Sequence, residues 1–347
     1  MARLFFLLSG EDPTLPFSEL ASILEAEGYE FKILQKLAHV LRLESCPESA
    51  STIESRASMT RICALELFLC QANVDAIVEN LERAELNDLV TEGETFVVRV
   101  KRVRGSAPKM GRLKLERKIG GIISSKVKGL KVDLEKPGKI FVGVLTEDSF
   151  IFGLGLAEVR AKSFFERRPR RKTFFHPTAM QPKLARCMVN LAQPKREELV
   201  LDPFCGTGSL LVEASLVGCR VLGFDADRRM AVGSLQNLSH YGLVPEGIGV
   251  ADARHLPLAD SSVNCVVTDP PYGRSSTTFR LGVADLIESF LADIIDKIVR
   301  EGRICLAAPT KIRISELSEK IGLQHIESHL VYVHRELTRE IAVLKRG

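Results

Sequence analysis

LVLDPFCGTGS, residues 199–209, joins a short apolar run to an aspartate and then to a loop with two glycines. The apolar run predicts a strand, and Leu210, Leu211 and Ala214 after the loop have helical spacing. A dinucleotide-binding fingerprint that starts at Gly206 requires glycine at position 211, where this chain has leucine. No Lys-Ser/Thr pair follows the loop, so it is not a triphosphate-binding loop either. The stretch therefore predicts a strand–loop–helix unit for a different ligand.

Acidic residues recur where apolar runs end across the C-terminal half. Four runs show this pattern, and their aspartates are Asp202, Asp225, Asp252 and Asp269. Stretches with helical spacing lie between the runs, and this alternation predicts a parallel, doubly wound sheet. Ligands of such sheets bind outside the carboxyl ends of the strands. The predicted fold class is therefore α/β, with a Rossmann-like sheet that carries four carboxylates along one edge.

The ligand that suits this edge is S-adenosylmethionine. Asp202 is a poor neighbour for a pyrophosphate but a good one for an ammonium or sulfonium group. Asp225 stands where an acidic side chain binds ribose hydroxyls in doubly wound folds, and Asp252 is expected to reach the adenine amino group. Taken singly, Asp225 and Asp252 also fit strand-end turns. The predicted cofactor-binding residues of this edge are Asp202, Phe204, Cys205, Gly206, Thr207, Gly208, Asp225, Ala226, Asp252 and Ala253.

The tetrapeptide Asp269-Pro270-Pro271-Tyr272 follows the fourth run and suits chemistry on an amino group attached to an aromatic ring. The lone pair of such a nitrogen is delocalised into the ring, so an enzyme must hold both N–H bonds with acceptors. A carboxylate and a carbonyl fixed by prolines supply rigid acceptors, and an aromatic ring supplies a stacking face. The predicted catalytic residues are Asp269, Pro270 and Tyr272. The Asp269 carboxylate and the Pro270 carbonyl accept the N–H bonds, and the unstacked base lies on Tyr272.

The composition predicts a globular, cytoplasmic protein. The chain has 347 residues, of which 45% are hydrophobic, and this length suffices for two or three domains. No apolar run approaches the roughly 18 residues of a membrane helix. The eight cysteines include no Cys-x-x-Cys pair, so we predict reduced core thiols, with neither a disulfide framework nor a metal site.

Basic side chains are concentrated in the middle of the chain, although the net charge is only +4. Residues 99–131 hold twelve Lys and Arg against one acidic residue, and residues 160–186 hold nine against one. A charge run is usually a solvated face, but two such runs in a near-neutral chain indicate a polyanion held by phosphate contacts. The run 167–172 is polar and broken by Pro169, so we expect a linker that is either a passive tether or an RNA contact.

Residues 1–155 are expected to form two α/β domains. Strands are predicted over 3–8, 29–34 and 39–43 with a helix over 18–27, which indicates a small ferredoxin-like domain. Helices are then predicted over 58–71 and 73–93, a strand over 95–103, a helix over 113–127 and a strand over 140–145. The predicted organisation is a ferredoxin-like domain at 1–60, a second α/β domain at 61–155, a linker at 156–175 and the doubly wound domain at 176–347.

The basic stretch of the second domain resembles the THUMP domain. The resemblance rests on LERKIGG at 115–121, on KVDL at 131–134 with Pro137, and on the strand at 140–145. It implies an RNA-binding region that contacts the acceptor end of tRNA. The alternative is an α/β domain whose basic residues only keep it soluble. The predicted RNA-binding residues of this domain and the linker are Arg102, Arg104, Lys109, Arg112, Lys114, Arg117, Lys118, Arg167, Arg168, Arg170, Arg171 and Lys172.

Residues 176–347 resemble the amino-methyltransferase branch of the Rossmann-fold methyltransferases. The resemblance rests on DPFCGTG, on the acidic strand ends and on DPPY, in that order. The segment 176–182 lies where this branch contacts the methionine part of the cofactor, which implies Thr178 and Met180 as further cofactor contacts. The apolar runs at 330–333 and 341–344 resemble the antiparallel hairpin that closes such sheets.

A THUMP domain joined to such a methyltransferase resembles the archaeal-type tRNA guanosine-10 N2-methyltransferases. The resemblance implies S-adenosylmethionine-dependent methylation of N2 of that guanosine, and it leaves open a second methyl. Relatives that act at position 6 usually have asparagine in place of Asp269, so this aspartate favours position 10. The implied partners are tRNA and, as in some relatives, a small zinc-binding activator protein. A DNA or rRNA amino-methyltransferase and a non-catalytic RNA-binding module stay open as alternatives.

Overall fold

The computed structural model describes residues 1–271, 282–334 and 337–347. The elements of the first 159 residues are β1 (Ala2–Leu8), α1 (Leu15–Ala26), β2 (Lys32–Leu37), β3 (Val40–Ser45), α2 (Ser49–Arg56), β4 (Thr60–Gln71), α3 (Val74–Arg83), β5 (Thr95–Arg102), α4 (Arg112–Lys126), β6 (Lys131–Val132), β7 (Lys139–Thr146) and β8 (Ser149–Glu158). Those that follow are α5 (Ala161–Glu166), a 3-10 turn (Pro169–Arg171), α6 (Pro182–Leu191), β9 (Leu199–Asp202), α7 (Ser209–Leu216), β10 (Arg220–Asp225), α8 (Arg228–His240), β11 (Gly247–Val250), β12 (Val263–Thr268), α9 (Val283–Lys297), β13 (Ile298–Pro309), α10 (Ile314–Ile321), β14 (Leu323–His334) and β15 (Leu337–Arg346).

The chain forms two units. The first comprises residues 1–13, 28–55 and 60–159, and its eight strands form one continuous sheet in the order β2-β3-β1-β4-β8-β7-β5-β6. The second comprises residues 14–27, 56–59 and 160–347. Residues 1–60, for which we predict a separate domain, are therefore divided between the two units. Among the described residues, no helix is long and apolar enough to cross a membrane.

The helix predicted over 58–71 is wrong, because this segment is the central strand β4. β4 pairs antiparallel with β1 on one side and with β8 on the other. Several of its side chains are buried, so its sequence lacks the alternation of a half-exposed strand. A short apolar run of this kind fits either a helix or a buried strand, and here the pairing with both neighbours decides. The helix predicted over 73–93 is shorter, since α3 ends at Arg83, and helix α2 was not predicted.

The sheet of the second unit has the predicted doubly wound form. Its strand order is β11-β10-β9-β12-β13-β15-β14. Strands β9 to β13 run parallel, and the order reverses between β9 and β12. The predicted closing hairpin is confirmed, because β15 pairs antiparallel with both β13 and β14. Helices α6, α7 and α8 pack against one face of the sheet, and helices α9 and α10 pack against the other.

Helix α1 belongs to the second unit although it lies near the start of the chain. The buried Glu19 carboxylate accepts hydrogen bonds from the N–H groups of Ser58 (2.9 Å) and Met59 (2.7 Å) and from the amide of Asn190 (2.9 Å). Burial raises the pKa of Glu19, and these hydrogen bonds partly oppose that rise. They tie α1 and residues 56–59 to helix α6.

Candidate active site

The carboxyl ends of the parallel strands place the predicted aspartates along one edge of the second sheet. β9 ends at Asp202, β10 ends at Asp225, and Asp252 follows β11 by two residues. Asp269 comes directly after β12. Because β9 and β12 are neighbours at the point where the strand order reverses, Asp202 and Asp269 flank the position at which doubly wound sheets bind ligands.

Asp202 is the most deeply buried of these carboxyl groups, with 2% of the residue exposed. Its pKa is raised to about 8, mainly by burial, and the nearby carboxylates of Asp225 and Asp269 contribute to this rise. Two hydrogen bonds oppose this rise: the Thr268 hydroxyl (2.7 Å) and the Phe204 N–H (3.2 Å) both donate to Oδ1. A group of like charges around a buried carboxyl favours a ligand that carries positive charge.

The glycine loop has a backbone conformation that requires glycine. Gly206 and Gly208 have φ values of +51° and +74°, which L side chains rarely adopt. A Cβ at Gly208 would also lie 2.4 Å from the Ser234 hydroxyl. Asp225 holds the loop from β10, because its Oδ2 accepts the N–H of Gly206 at 2.9 Å and its Oδ1 accepts the N–H of Asp227 at 2.9 Å. Burial raises the pKa of Asp225.

The other loop residues are part of the packing. The Phe204 ring contacts the Phe290 ring edge-on, with centroids 5.5 Å apart. Cys205 is buried, and burial raises the pKa of its thiol well above the ordinary value, which makes it a poor nucleophile. Thr207 is buried as well, and its hydroxyl lies 3.3 Å from that of Ser209.

Asp252 differs from Asp202 and Asp225 because it is paired with a guanidinium group. Its two carboxylate oxygens lie 2.9 Å and 3.0 Å from Nε of Arg254, and Nη2 of the same arginine lies 2.5 Å from Oδ2. The Arg254 hydrogen bonds lower the pKa of Asp252. Ala253, which follows it, is buried in the core, whereas Ala226 beyond β10 is exposed.

Asp269 has an ion pair that the sequence did not indicate. Nη1 of Arg339 lies 3.5 Å from Oδ2 of Asp269, and only 15% and 17% of the two side chains is exposed. Arg339 comes from β15, which is antiparallel to β13, so its first residues lie at the same edge as the ends of the parallel strands. Pro270 is buried next to Asp269. Tyr272, the third predicted catalytic residue, lies outside the described residues.

The segment before helix α6 is fixed to the glycine loop by one side chain. The buried Asn237 amide donates to the carbonyls of Phe174 and Thr207 at 2.9 Å each, and its Oδ1 accepts the N–H of Phe174 at 2.9 Å. Farther along this segment, Thr178 is exposed and its hydroxyl lies 2.7 Å from Nδ1 of His176, while Met180 is buried. The predicted cofactor contacts Thr178 and Met180 thus lie on a segment that Asn237 anchors.

The predicted RNA-binding residues of the first unit are all exposed. Two of them also make local contacts: Arg102 donates to the Met110 carbonyl, and Nε of Arg104 donates to His39 at 3.2 Å. The others in this set are Lys109, Arg112, Lys114, Arg117 and Lys118. A basic surface of this density suits phosphate contacts.

Two of the linker residues predicted to bind RNA make contacts inside the second unit. Arg167 is bound to the buried Glu213 carboxylate through Nε (2.7 Å) and Nη2 (3.0 Å). Lys172 is 8% exposed, and its ammonium donates to the Ser209 hydroxyl at 2.8 Å; burial lowers its pKa to about 8. Both side chains are therefore used inside the second unit, because Glu213 and Ser209 provide polar partners that the basic run alone could not reveal. Arg168, Arg170 and Arg171 are exposed.

The residues at the sheet edge fit S-adenosylmethionine. The buried, negatively charged surroundings of Asp202 suit the positive groups of its amino-acid tail, and each oxygen of Asp225 keeps a lone pair for a ribose hydroxyl. The glycine loop exposes backbone without side chains beside both aspartates. A pyrophosphate fits this edge poorly, because it would add negative charge beside the acidic side chains.

Comparison with known proteins agrees with this site. Residues 71–153 match the THUMP domain family, and residues 169–341 match UPF0020, the RMKL-like methyltransferase domain. A tRNA (guanine(10)-N2)-dimethyltransferase of Methanothermobacter thermautotrophicus is 37% identical over 345 residues, which is 99% of both chains. One of Methanocaldococcus jannaschii is 34% identical over 365 residues, covering 98% of this chain and 99% of that protein.

Solved structures show the same fold at low sequence identity. TrmN from Thermus thermophilus matches with a TM-score of 0.54 and 21% identity, covering 99% of this chain and 100% of that one. A possible methylase from Clostridium difficile matches with a TM-score of 0.55 and 16% identity, covering 100% and 98%. The fold and the site thus define a THUMP-containing, Rossmann-fold methyltransferase that uses S-adenosylmethionine. Within that class, the chain belongs to the archaeal tRNA (guanine(10)-N2)-dimethyltransferase family.

Proposed function

We propose that this protein methylates N2 of guanosine 10 in tRNA and adds two methyl groups in succession. The observation that carries the proposal is the similarity, at 37% and 34% identity over almost the whole chain, to two proteins named for that reaction. Asp269, in the position from which an amino-methyltransferase would hold its target nitrogen, supports the same reaction. S-adenosylmethionine supplies an electrophilic methyl group on a sulfonium sulfur.

The protein's own residues would prepare the guanine amino group for transfer. The Asp269 carboxylate and the Pro270 carbonyl accept its two N–H bonds, so that the nitrogen lone pair is directed away from them. Asp269 takes up the proton that leaves the nitrogen, directly or through water. Arg339 holds the carboxylate from the side of β15. The guanine leaves its stack to reach this edge, which costs a few kcal/mol.

The cofactor would be held by the remaining aspartates and the loop. We propose that Asp202 faces the charged tail, that Asp225 accepts the ribose hydroxyls and that Asp252 faces the adenine amino group. Phe204, Cys205, Thr207, Ala226 and Ala253 would shape the walls. The basic surface of the first unit would bind the tRNA, and a cytoplasmic location would follow from this substrate.

The test is incubation with labelled S-adenosylmethionine and an unmodified tRNA transcript, followed by nucleoside analysis and position mapping. We expect N2-methylguanosine at early times and N2,N2-dimethylguanosine later, both at position 10. A transcript with adenosine at position 10 is the matched control and should stay unlabelled. Label at position 6 would agree with the proposed methylation reaction but would show that position 10 is not the target. A zinc-binding activator protein, which the resemblance implies as a partner, stays a prediction, and adding such a protein to the assay tests it.

A further inference from the structure

Two adjacent phenylalanines of helix α5 point their rings at different sets of arginines. Phe164 is buried, and the guanidinium carbons of Arg167 and Arg186 lie 4.8 Å and 5.8 Å from its ring centroid. Phe165 is 44% exposed, and the corresponding carbons of Arg168 and Arg171 lie 4.6 Å and 4.4 Å from its centroid. We call the first set, with Glu213, the inner cluster. We call Phe165, Arg168 and Arg171 the outer cluster.

The inner cluster has an acidic partner within the protein. The Glu213 carboxylate, of which only 2% is exposed, accepts hydrogen bonds from Arg167 and lies 2.8 Å from Nη2 of Arg186. Two guanidinium groups therefore share one buried carboxylate, and this arrangement attaches α5 to α6 and α7. If Glu213 were absent, the buried guanidinium groups of Arg167 and Arg186 would both be unpaired, which is strongly unfavourable. The inner cluster has a structural role.

The outer cluster has the same composition but lacks the acid. In the described part of the chain, no carboxylate forms an ion pair with Arg168, Arg170 or Arg171. Glu166, the nearest acidic residue in the sequence, lies 3.8 Å from Lys162 instead. The exposed guanidinium groups of Arg168 and Arg171 thus lie against the exposed Phe165 ring without an internal countercharge. A ligand that carries negative charge and a flat apolar face could pair with the guanidinium groups and stack on the ring of the outer cluster.

We propose that the outer cluster binds an unpaired nucleotide of the RNA substrate. A base stacks on a phenylalanine ring and on guanidinium planes alike, and the same guanidinium groups donate to the flanking phosphates. In a duplex the flat faces of the bases are covered by their neighbours, so only an unstacked nucleotide offers both partners. The inference deepens the proposed function, on which it rests for the nature of the substrate. It assigns a role to Phe165, which neither the basic run nor the methyltransferase motifs indicate.

The direct test measures binding of labelled tRNA, single-stranded RNA and duplex RNA of equal length to the full-length protein over a range of salt concentrations. Phe165→Ala should weaken binding of tRNA and of the single strand about tenfold and leave the duplex unchanged. Phe165→Leu keeps an apolar side chain but has no ring, so it should weaken binding as much as Phe165→Ala does. Phe165→Tyr keeps the ring and should bind like the wild type. All three substitutions fall on a half-exposed position, and melting temperature and cofactor binding check that the fold is intact.

The arginines have a different expected signature. Arg168→Ala combined with Arg171→Ala should reduce the slope of log affinity against log salt by about one to two, because phosphate contacts release counterions. Phe165→Ala should leave that slope unchanged. Arg196→Ala is the matched control, since this side chain of the same unit is 81% exposed and carries the same charge. It should bind like the wild type.

Three results would overturn the proposal: wild-type affinity in Phe165→Ala, full recovery in Phe165→Leu, or an unchanged salt slope in the double arginine variant. Equal weakening of duplex binding would overturn the assignment to an unpaired nucleotide. The assay requires no methyl transfer, so its outcome is separate from that of the proposed function. If the wild type did not methylate position 10 but the variants showed the expected differences in binding, the proposed reaction would be wrong and the proposed binding site would stand.

Discussion

Asp202 and Asp252 lie at the same edge of one sheet, behind strands two positions apart, yet their acidities are shifted in opposite directions. Burial raises the pKa of Asp202 to about 8. The Arg254 guanidinium lowers the pKa of Asp252, which is more exposed. The strand-end position determines where each carboxylate lies. Its charge at neutral pH depends on burial and on whether a basic side chain is within reach.

This difference assigns the two aspartates different tasks in ligand binding. The raised pKa of Asp202 means that burial favours its protonated form, and a cationic ligand would supply the countercharge that favours its ionised form. Asp252 already has a countercharge, so it contributes to binding through hydrogen bonds rather than through charge. Asp269 lies between these two cases. It has a basic partner, Arg339, but the two side chains are 3.5 Å apart and Arg339 comes from a distant part of the chain.

The largest effect is expected for Asp269→Ala. Removal of the carboxylate that accepts the N–H bond and the proton should lower kcat/KM for methyl transfer roughly 10³-fold. Cofactor binding should survive, because Asp202 and Asp225 are untouched. The measurement is single-turnover transfer to tRNA, together with calorimetric binding of S-adenosylmethionine. Asp260→Ala, at an exposed aspartate of the same unit, serves as control. Loss of cofactor binding in Asp269→Ala would contradict the assignment.

The pH dependence of cofactor binding should separate Asp202 from Asp252. Since the pKa of Asp202 is raised to about 8, binding of a cation must displace a proton at pH 7. Affinity of the wild type should therefore rise with pH, by up to about tenfold per unit, and level off above pH 8. Asp202→Asn should bind weakly without this dependence. Calorimetry at pH 7 in two buffers of different ionisation enthalpy measures the released proton.

The raised pKa of Asp202 also predicts how the stability of the folded protein changes with pH. A carboxyl group whose pKa is higher in the folded state contributes stability below its unfolded pKa, and that contribution is lost as the pH rises through 8. The melting temperature of the cofactor-free wild type should thus fall between pH 6 and pH 9 relative to Asp202→Asn. Parallel melting curves for the two proteins over this range would count against a raised pKa.

A smaller effect is expected for Arg339→Ala. The Asp269 carboxylate would lose the group that orients it, and we expect kcat to fall about tenfold while the KM for S-adenosylmethionine stays unchanged. Arg339→Lys should restore part of the rate, because an ammonium group keeps the charge without the guanidinium geometry. A merely structural role for Arg339 would instead lower the melting temperature and raise both KM values.

Arg339 also shows where prediction from sequence ends. The loop, the four strand ends and the closing hairpin follow from local patterns: apolar runs, glycines and the residues directly after each run. The pairing of Arg339 with Asp269 joins residues 70 positions apart across antiparallel and parallel strands, and no local pattern encodes that distance. The anchoring by Asn237 was missed for the same reason.

The wrong helix in the first half and the internal contacts of the linker have the same origin. The helix predicted over 58–71 is wrong because a strand buried between two neighbours has no alternating pattern, and only the pairing with β1 and β8 shows that it is a strand. The basic run at 167–172 suggested one uniform surface. Glu213, a single buried acid on α7, divides it into inner and outer residues.

The smallest effect is expected for Asp252→Ala. Its carboxylate is engaged by Arg254, so loss of one hydrogen bond to the ligand should weaken binding of S-adenosylmethionine by only about threefold to tenfold. Because Arg254 lowers the pKa of Asp252, the carboxylate stays ionised throughout the range from pH 6 to pH 9, and the variant should keep the full pH dependence of the wild type. Titrations of both proteins at pH 6, 7 and 8 measure this. If Asp252→Ala flattened the dependence instead, the displaced proton would belong to Asp252, and the contrast between the two aspartates would be reversed.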